Sequence, residues 1–504
     1  MSQSEIKMPN LSVRGLTGLI LGPVLFFILI FWIDLRDLSD QGEAVLACTA
    51  WIAVWWITEP IPIPVTSLLP LVIFPLSGAL DINTTASSYG NKMIFLYMGG
   101  FMIAIAMEKW NLHKRIALSI IKSVGTNASN IILGFMIATA LLSMWISNTA
   151  TTLMMLPIAL AVTSQLMEIF RRSNKNDVKN AEKFGVALML GIAYSASIGG
   201  MATLIGTPTN AIFSAVVKDY YDAEVDFSRW ISFGFPIVVI LLFICWFYLT
   251  RIAFPMKRIS GAEESGKTIN EELKALGKLK REEKWIILIF CLTAVSWITR
   301  SFILVRIIPN IDDTVIAIIA CVILFLIPSS SKKGDRLLDW MSARKLPWGI
   351  LILFGGGLAI AAGFGKSGLA QWIGNELNYI KGAEIFLILL LITGLINFLT
   401  EITSNVATAS ILLPILASLA VAINVHPYAL MVASCMAASC AFMLPVATPP
   451  NAIVFGSGYI KITDMARTGF FMNILSIIIL ALATRYFLPI IWGIDIFSTI
   501  PIIK

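Results

Sequence analysis

The chain has 504 residues, of which 58% are hydrophobic and only 13% charged, with a formal net charge of +7 and a mean hydropathy of +0.85. Soluble domains carry about 25% charged residues, so these values exclude a soluble enzyme, a disordered chain and a disulfide-stapled secreted scaffold. They predict an all-α polytopic membrane protein.

The apolar runs are long and continuous, unlike the alternating ~10-residue segments of a transmembrane barrel. The surplus Lys and Arg fall in the loops between these runs, as expected of a protein that sits among lipids. The charge therefore indicates a membrane and no nucleic acid. The six cysteines lie inside apolar runs without a CxxC pair, and His113 and His426 stand alone. Neither set makes a metal site, and no cofactor is expected.

In chain order, apolar spans are predicted at 16–33, 44–58, 65–80, 93–108, 184–217, 232–254, 285–305, 314–328, 348–365, 428–458 and 470–490, about 11 crossings. The first is too long for a cleaved leader and is read as a retained helix. Two further stretches, 130–170 and 385–423, are each interrupted midway by a polar triplet.

Basic residues dominate the loops 109–122, 171–183, 255–284 and 329–345, whereas 34–43 and 219–226 are acidic. The first four are placed in the cytoplasm and the last two outside. The N-terminus is then cytoplasmic and the C-terminus outside. Both ends of 130–170 fall in the cytoplasm. The stretch is long enough for two full crossings, but its centre is Ser147-Asn148-Thr149. A polar turn survives at depth only where protein or a water-filled cavity covers it. A re-entrant helical hairpin is therefore expected, with 385–423 as its mirror image from the other face.

The chain also repeats itself. Gly99-Gly100, Ile103-Ala104, Ser147-Asn148, Ala150-Thr151 and Leu156-Pro157 recur 257 positions on, as Gly356-Gly357, Ile360-Ala361, Ser404-Asn405, Ala407-Thr408 and Leu413-Pro414. Ser143 corresponds to Thr400, and Thr207-Pro208-Thr209-Asn210 to Thr448-Pro449-Pro450-Asn451 at an offset of 241. By the charge argument the two copies start on opposite sides. An inverted repeat of this kind is the recurring plan of secondary transporters, with the site at the midplane between the copies.

Four polar breaks are expected to meet there: 147–149, 206–210, 404–406 and 447–451. Proline breaks a helix, so spans 184–217 and 428–458 should each split into half-helices. Their N-termini suit a carboxylate, and Ser, Thr, Asn and freed carbonyl oxygens suit a small hard cation. The triplets contain no Lys or Arg, so a bound anion calls for co-bound cations or many N–H donors. Cation-coupled anion uptake follows. Glu401 reads equally as a functional intramembrane carboxylate or as a partner for a helix end, and Glu59, among prolines, as a helix end.

These motifs, with Trp56-Ile57-Thr58-Glu59-Pro60-Ile61-Pro62, Trp145 to Ala150, Thr400 to Asn405 and Met443 to Asn451, resemble the divalent anion/sodium symporter family over nearly the whole chain. The bacterial sodium-dependent dicarboxylate branch is the nearest in pattern. The resemblance implies a homodimer in the cell membrane, working as an elevator-type transporter. It implies scaffold helices in 1–92 and 285–347, repeats in 93–254 and 348–504, and a cytoplasmic linker at 255–284.

It further implies a substrate pocket of Ser147, Asn148, Thr149, Thr207, Pro208, Ser404, Asn405, Val406, Thr448 and Pro449. One sodium site would use Ser143, Ser147, Asn148 and Gly206, the other Thr400, Thr403, Asn405 and Ala447. Val406 and Thr209 depart from the family pattern, which has Thr and Pro there. The function implied is sodium-coupled transport of C4-dicarboxylates such as succinate, malate and fumarate. Two alternatives stay open: a sodium-independent dicarboxylate exchanger, and an ion channel with two re-entrant loops. An intramembrane enzyme is not expected, because no nucleophile–base pair or metal cluster lies in the spans.

Overall fold

A computed structural model describes residues 13–500 apart from 34, 126, 172–174, 256–261, 332–333 and 377–383. It is all-helical, and nine helices among the described residues are long and apolar enough to cross a membrane, with five shorter apolar helices beside them. The expected spans 44–58, 65–80, 314–328 and 428–458 are also helical, but they are polar at one end, short or broken.

Helix α1 (Val13–Phe31) lies against α2 (Asp40–Thr58). Small residues allow this: a Cβ on Gly18 would sit 1.9 Å from Thr58 Oγ1, and one on Gly22 2.6 Å from the Trp51 ring. The Trp55 indole donates to the Gly18 carbonyl across the same seam at 2.9 Å. Helix α2 is capped by Ser39, which accepts from the Gly42 N–H, and closes on Glu59 in the left-handed region at φ 49°.

The first copy continues with α3 (Lys92–Lys109), the amphipathic α4 (Leu112–Val124), and then the pair α5 (Ala128–Ser143) and α6 (Asn148–Arg171), joined by a short turn. Helix α7 (Lys175–Gly200) stops at a non-helical break, and α8 (Pro208–Tyr221) resumes beyond it. Helix α9 (Phe227–Phe247) completes the copy.

After α10 (Ala262–Ala275), α11 (Arg281–Thr299) and α12 (Asp313–Leu326) comes the second copy. It holds α13 (Trp348–Lys366), α14 (Leu369–Glu376), the pair α15 (Ile385–Leu399) and α16 (Asn405–Ala422), the broken pair α17 (Pro427–Ala437) and α18 (Pro449–Phe455), and α19 (Ile462–Leu482).

Each helix–turn–helix pair packs on the first half of the broken helix of its own copy, α5 and α6 on α7, α15 and α16 on α17. The second half-helix crosses over: α8 packs on α16, and α18 on α6. This exchange ties both turns and both breaks to one place. Tyr97 and Phe354, which correspond at the 257 offset, meet edge to face with ring centres 4.9 Å apart.

One reading needs correction. The alternating charges from Glu271 to Lys284 read in the sequence as a single surface helix linking the repeats, but the stretch holds two. Helix α10 ends at Ala275, Gly277 turns the chain at φ +66°, and α11 starts at Arg281 with Glu283 accepting from the Lys280 N–H. Glycine takes that φ without steric cost. Part of the expected linker, 256–261, lies outside the described residues. Of the six cysteines, five are buried and Cys291 is exposed.

Ion pairs sit at the two ends of α3. At Lys92, Glu224 and Asp312 are paired, with Arg300 beside Asp313 at 2.7 Å and Asp226 at 3.4 Å. At Lys109, Asp335 and Asp339 are paired at 2.9 and 2.8 Å. The hydrogen bond from Lys109 holds the Asp339 carboxyl well below the usual carboxylate range. Nearby, Arg115 pairs with the buried Glu283 at 2.7 Å and Lys114 with Glu272 at 2.7 Å, fastening α4 to α10 and α11.

Candidate functional site

The four breaks surround one cavity of about 770 Å³. All ten residues expected to hold substrate line it: Ser147, Asn148, Thr149, Thr207, Pro208, Ser404, Asn405, Val406, Thr448 and Pro449. Of the expected cation ligands, Gly206, Thr403 and Ala447 line it as well, while Ser143 and Thr400 lie fully buried behind the tips.

The breaks are held open by side chains. Asn210 Nδ2 donates to the Thr203 carbonyl at 2.7 Å and to Gly200 at 3.3 Å. Asn451 Nδ2 donates to Leu444 at 3.0 Å and Ala441 at 3.1 Å. These carbonyls correspond at the same 241 offset as the asparagines themselves. Each amide thus satisfies the carbonyls freed where the first half-helix ends, which would otherwise be left unpaired at depth. Pro208 and Pro449 open the second halves, where a missing N–H costs nothing.

Backbone approaches closely at the first break. A Cβ on Gly206 would sit 2.4 Å from the Gly200 carbonyl oxygen, and one on Gly200 2.7 Å from Asn148 Oδ1. No larger residue fits either position without moving the tip asparagine or the break.

The tips carry the same constellation twice. The Ser143 hydroxyl stands 2.6 Å from Asn148 Oδ1 and 2.7 Å from the Ala196 carbonyl oxygen. The Thr400 hydroxyl stands 2.7 Å from Asn405 Oδ1 and 2.9 Å from the Ala438 carbonyl oxygen. A hydroxyl has one hydrogen to give, so in each set three oxygens converge around a single proton. Neutral hard oxygens crowded in this way suit a small hard cation. Thr403 is engaged differently, bonded to the Leu399 carbonyl and to Thr408 Oγ1 at 2.8 and 2.6 Å.

For an anion, the cavity offers helix starts. Helices α6, α8, α16 and α18 begin at its wall, at Asn148, Pro208, Asn405 and Pro449. The longer three bring the positive ends of their dipoles to one space. Tyr97 closes a wall, its hydroxyl donating to the Leu204 carbonyl at 2.9 Å and reaching the Thr207 carbonyl.

Among the lining residues that sequence reasoning missed are Arg14, Glu59, Tyr97 and Phe101. Arg14 matters most. The triplets carry no positive charge, yet the cavity does: the Arg14 guanidinium donates to the Ile57 carbonyl and to Ile402, the latter at 3.4 Å. A lone base at the start of a first span reads as an ordinary flanking charge, and only the fold brings residue 14 beside residue 402. Tyr97 could have been found, since its counterpart Phe354 shows an aromatic kept in both copies.

Glu401 does not face the cavity. It is 3% exposed, and it accepts the N–H groups of Phe442, Met443 and Leu444 at 2.7, 2.9 and 3.1 Å, with the Asn473 amide at 2.8 Å. It therefore binds the backbone that leads into the second break. Among the described residues no cluster of His, Cys, Asp and Glu is arranged to hold a metal ion.

Comparison with known proteins places this geometry in a family. The model of the sodium:sulfate symporter transmembrane region matches residues 16–494. The chain is 48% identical over 496 residues to a sodium-dependent dicarboxylate transporter, SdcS, of Staphylococcus saprophyticus, covering 97% of this chain and 95% of that protein. It is 47% identical over 506 residues to SdcS of Staphylococcus aureus, covering 99% and 96%. Among solved structures, the fold is shared with the YdaH transporter of Alcanivorax borkumensis, at a TM-score of 0.58 and 14% identity over 90% of this chain and 98% of that one. Neisseria gonorrhoeae MtrF, described as illuminating a class of antimetabolite efflux pumps, aligns at 0.54 and 13% over 91% and 97%. The chain is a multi-pass membrane protein that belongs to the sodium:sulfate symporter family, a family of transporters and not of enzymes.

Proposed function

We propose that the protein is a secondary active transporter that carries C4-dicarboxylates, succinate, malate and fumarate, together with sodium across the cell membrane. The observation that carries this reading is the pair of three-oxygen sets, Ser143, Asn148 and Ala196 in one copy and Thr400, Asn405 and Ala438 in the other, behind one cavity. A dicarboxylate is a dianion at neutral pH, and a buried dianion is costly unless compensated. Two sodium ions at the two sets neutralise it. Ser147 and Gly206 complete the first site and Thr403 and Ala447 the second. Ser147, Asn148 and Thr149 face Ser404, Asn405 and Val406 across the substrate, with Thr207, Pro208, Thr448 and Pro449 closing it.

The same reading makes the two copies an inverted repeat, with re-entrant hairpins at 130–170 and 385–423, the N-terminus in the cytoplasm and the C-terminus outside. Residues 93–254 and 348–504 form the repeats, and scaffold helices in 1–92 and 285–347 remain fixed while an elevator movement carries the site across. The working unit is a homodimer embedded in lipid. The repeat offsets and the exchange of half-helices between copies support the two-sided site, and the relatives named for sodium-dependent dicarboxylate transport support the cargo.

Succinate uptake into proteoliposomes, with and without an inward sodium gradient and with and without internal succinate, tests the function. Gradient-driven accumulation without internal succinate is expected. Uptake that needs internal succinate and ignores sodium would identify an exchanger instead.

A further inference from the structure

A second polar cluster lies away from the cavity and belongs to one copy alone. Asn397 and Glu401 stand one turn apart on α15 and its C-terminal end, Asn473 and Ser476 nearly so on α19, and all four are buried at 3% exposure or less. They enclose the backbone of Cys440 to Leu444. The Asn397 Nδ2 donates to the Cys440 carbonyl at 2.7 Å and to Ser476 Oγ at 3.3 Å, while Ser476 Oγ gives its hydrogen to the Asn473 carbonyl at 2.8 Å.

Two oxygens are left over. Asn397 Oδ1 and Asn473 Oδ1 are buried without a hydrogen-bond partner. Reversing either amide does not help. It would press Asn397 Oδ1 against the Cys440 carbonyl, or Asn473 Oδ1 against the Glu401 carboxylate, because the nitrogens already occupy those contacts. Native structures rarely leave such oxygens orphaned, and a bound ion is one way to satisfy them.

The Glu401 carboxylate has accepting capacity left over as well. Its Oε1 accepts three N–H groups and its Oε2 one, so Oε2 keeps a free lone pair. The donors are neutral, and among the described residues no basic side chain pairs with it. Four neutral N–H donors converge on this carboxylate, and a carboxylate buried at this depth is costly unless a cation compensates it.

The fold does not require this polarity. At the 257 offset, Asn397 and Glu401 correspond to Ala140 and Met144. For the last helix, Gly234 and Gly469 fix the register. A Cβ on the first would strike the Met201 carbonyl, and one on the second the corresponding Phe442 carbonyl. Asn473 and Ser476 then correspond to Val238 and Leu241. All four counterparts are buried and apolar. At these four positions the first copy thus makes the same packing with apolar side chains.

We propose that Glu401, Asn397, Asn473 and Ser476 build a third cation site, for one sodium-sized hard monovalent ion, in the second copy only. The site rests on the sodium-coupled reading above and sets its stoichiometry. Carboxylate and amide oxygens are the ligands such an ion takes. Ile402 and Pro445, which flank the cluster along the chain, line the cavity. Glu401 stays with the protein, so three sodium ions per dicarboxylate dianion move one net positive charge inward per cycle.

The test measures radiolabelled sodium and succinate fluxes, and the reversal potential, in proteoliposomes. Wild type is expected to move three sodium ions per succinate and to carry current. Asn397→Ala with Asn473→Val, which restores the apolar residue types of the first copy, is expected to drop to two, to become electroneutral, and to keep sodium-dependent uptake. Two per succinate in wild type, or three in both proteins, would overturn the proposal and leave the sodium-coupled function standing. Sodium-independent wild-type uptake would instead defeat that function. Should the double variant not fold, Asn397→Ala alone carries the comparison. Equilibrium binding to purified wild-type protein in saturating succinate then decides independently, since fewer than three sodium ions per protomer refutes the site.

Discussion

The hydroxyl of Ser143 stands 2.6 Å from Asn148 Oδ1 across the first tip, although its single hydrogen has the Ala196 carbonyl within equal reach. One of these two acceptors is always short of a donor, and a cation resolves the conflict. Ser143→Ala and Thr400→Ala should therefore weaken sodium affinity first. One lost ligand is worth ~1–3 kcal/mol, a fivefold to hundredfold rise in the sodium concentration at half-maximal uptake. Succinate affinity measured at saturating sodium should change far less. Equal losses in both would remove these hydroxyls from the cation sites.

Asn148 and Asn405 each turn an amide oxygen to the tip hydroxyl and line the cavity as well. Asn148→Ala and Asn405→Ala should each abolish uptake while leaving a monodisperse, helical protein in detergent. Normal uptake by either purified variant would displace the site.

The positive charge of the cavity lining is Arg14, not a triplet residue, and Glu59 lines the same cavity. Arg14→Gln should raise the succinate concentration needed for half-maximal uptake about fivefold, the ~1 kcal/mol expected of one charge near a solvated site, and the effect should shrink in concentrated salt. Val406→Thr, by contrast, adds a hydroxyl to the cavity wall and should alter succinate affinity while leaving the sodium dependence unchanged. A shift in sodium dependence would mean that position 406 faces the ion.

The two glycines of the first break, Gly200 and Gly206, are closely packed, unlike a glycine in an open turn. Gly206→Ala brings a Cβ to within 2.4 Å of backbone, whereas a Cβ on Gly90 meets nothing closer than 3.6 Å. Overpacking of this sort costs roughly 1–3 kcal/mol, so Gly206→Ala should lower the unfolding temperature in detergent and impair uptake. Gly90→Ala should do neither.

Much of this was legible from residues 143 to 151 and 400 to 408, because polar residues in a long apolar run have few structural uses, and their recurrence at one offset leaves fewer. Hydropathy located the helices for the same reason. What stayed hidden depends on contacts between distant segments. Arg14 meets Ile402 only through the seating of α1 on α2, and Glu401 was undecidable until its four donors were visible. The alternating charges of 271–284 imitate one continuous helix, and a single Gly277 overrides them.

Sidedness is open to a direct measurement. In a background without the six native cysteines, Ser123→Cys and Asn424→Cys occupy exposed positions in the last turn of α4 and after α16. An impermeant thiol reagent should label the first only from the cytoplasm and the second only from outside. Labelling of both from one face would make the copies parallel.

Asn210 and Asn451 have an effect on selectivity that follows from their stiffness. Each stitches the two halves of a broken helix together through two carbonyls, so neither half can yield without dragging the other. A cradle with walls fixed in this way behaves as a caliper. It rewards a ligand whose two carboxylates are spaced to touch both tips at once, and it cannot close on a shorter one or widen for a longer one. Chain length, more than the groups decorating the carbon skeleton, should then decide which diacids compete: malate and fumarate well, malonate and glutarate poorly. Loosening one stitch, with Asn451→Ala, should blur that measure before it destroys transport.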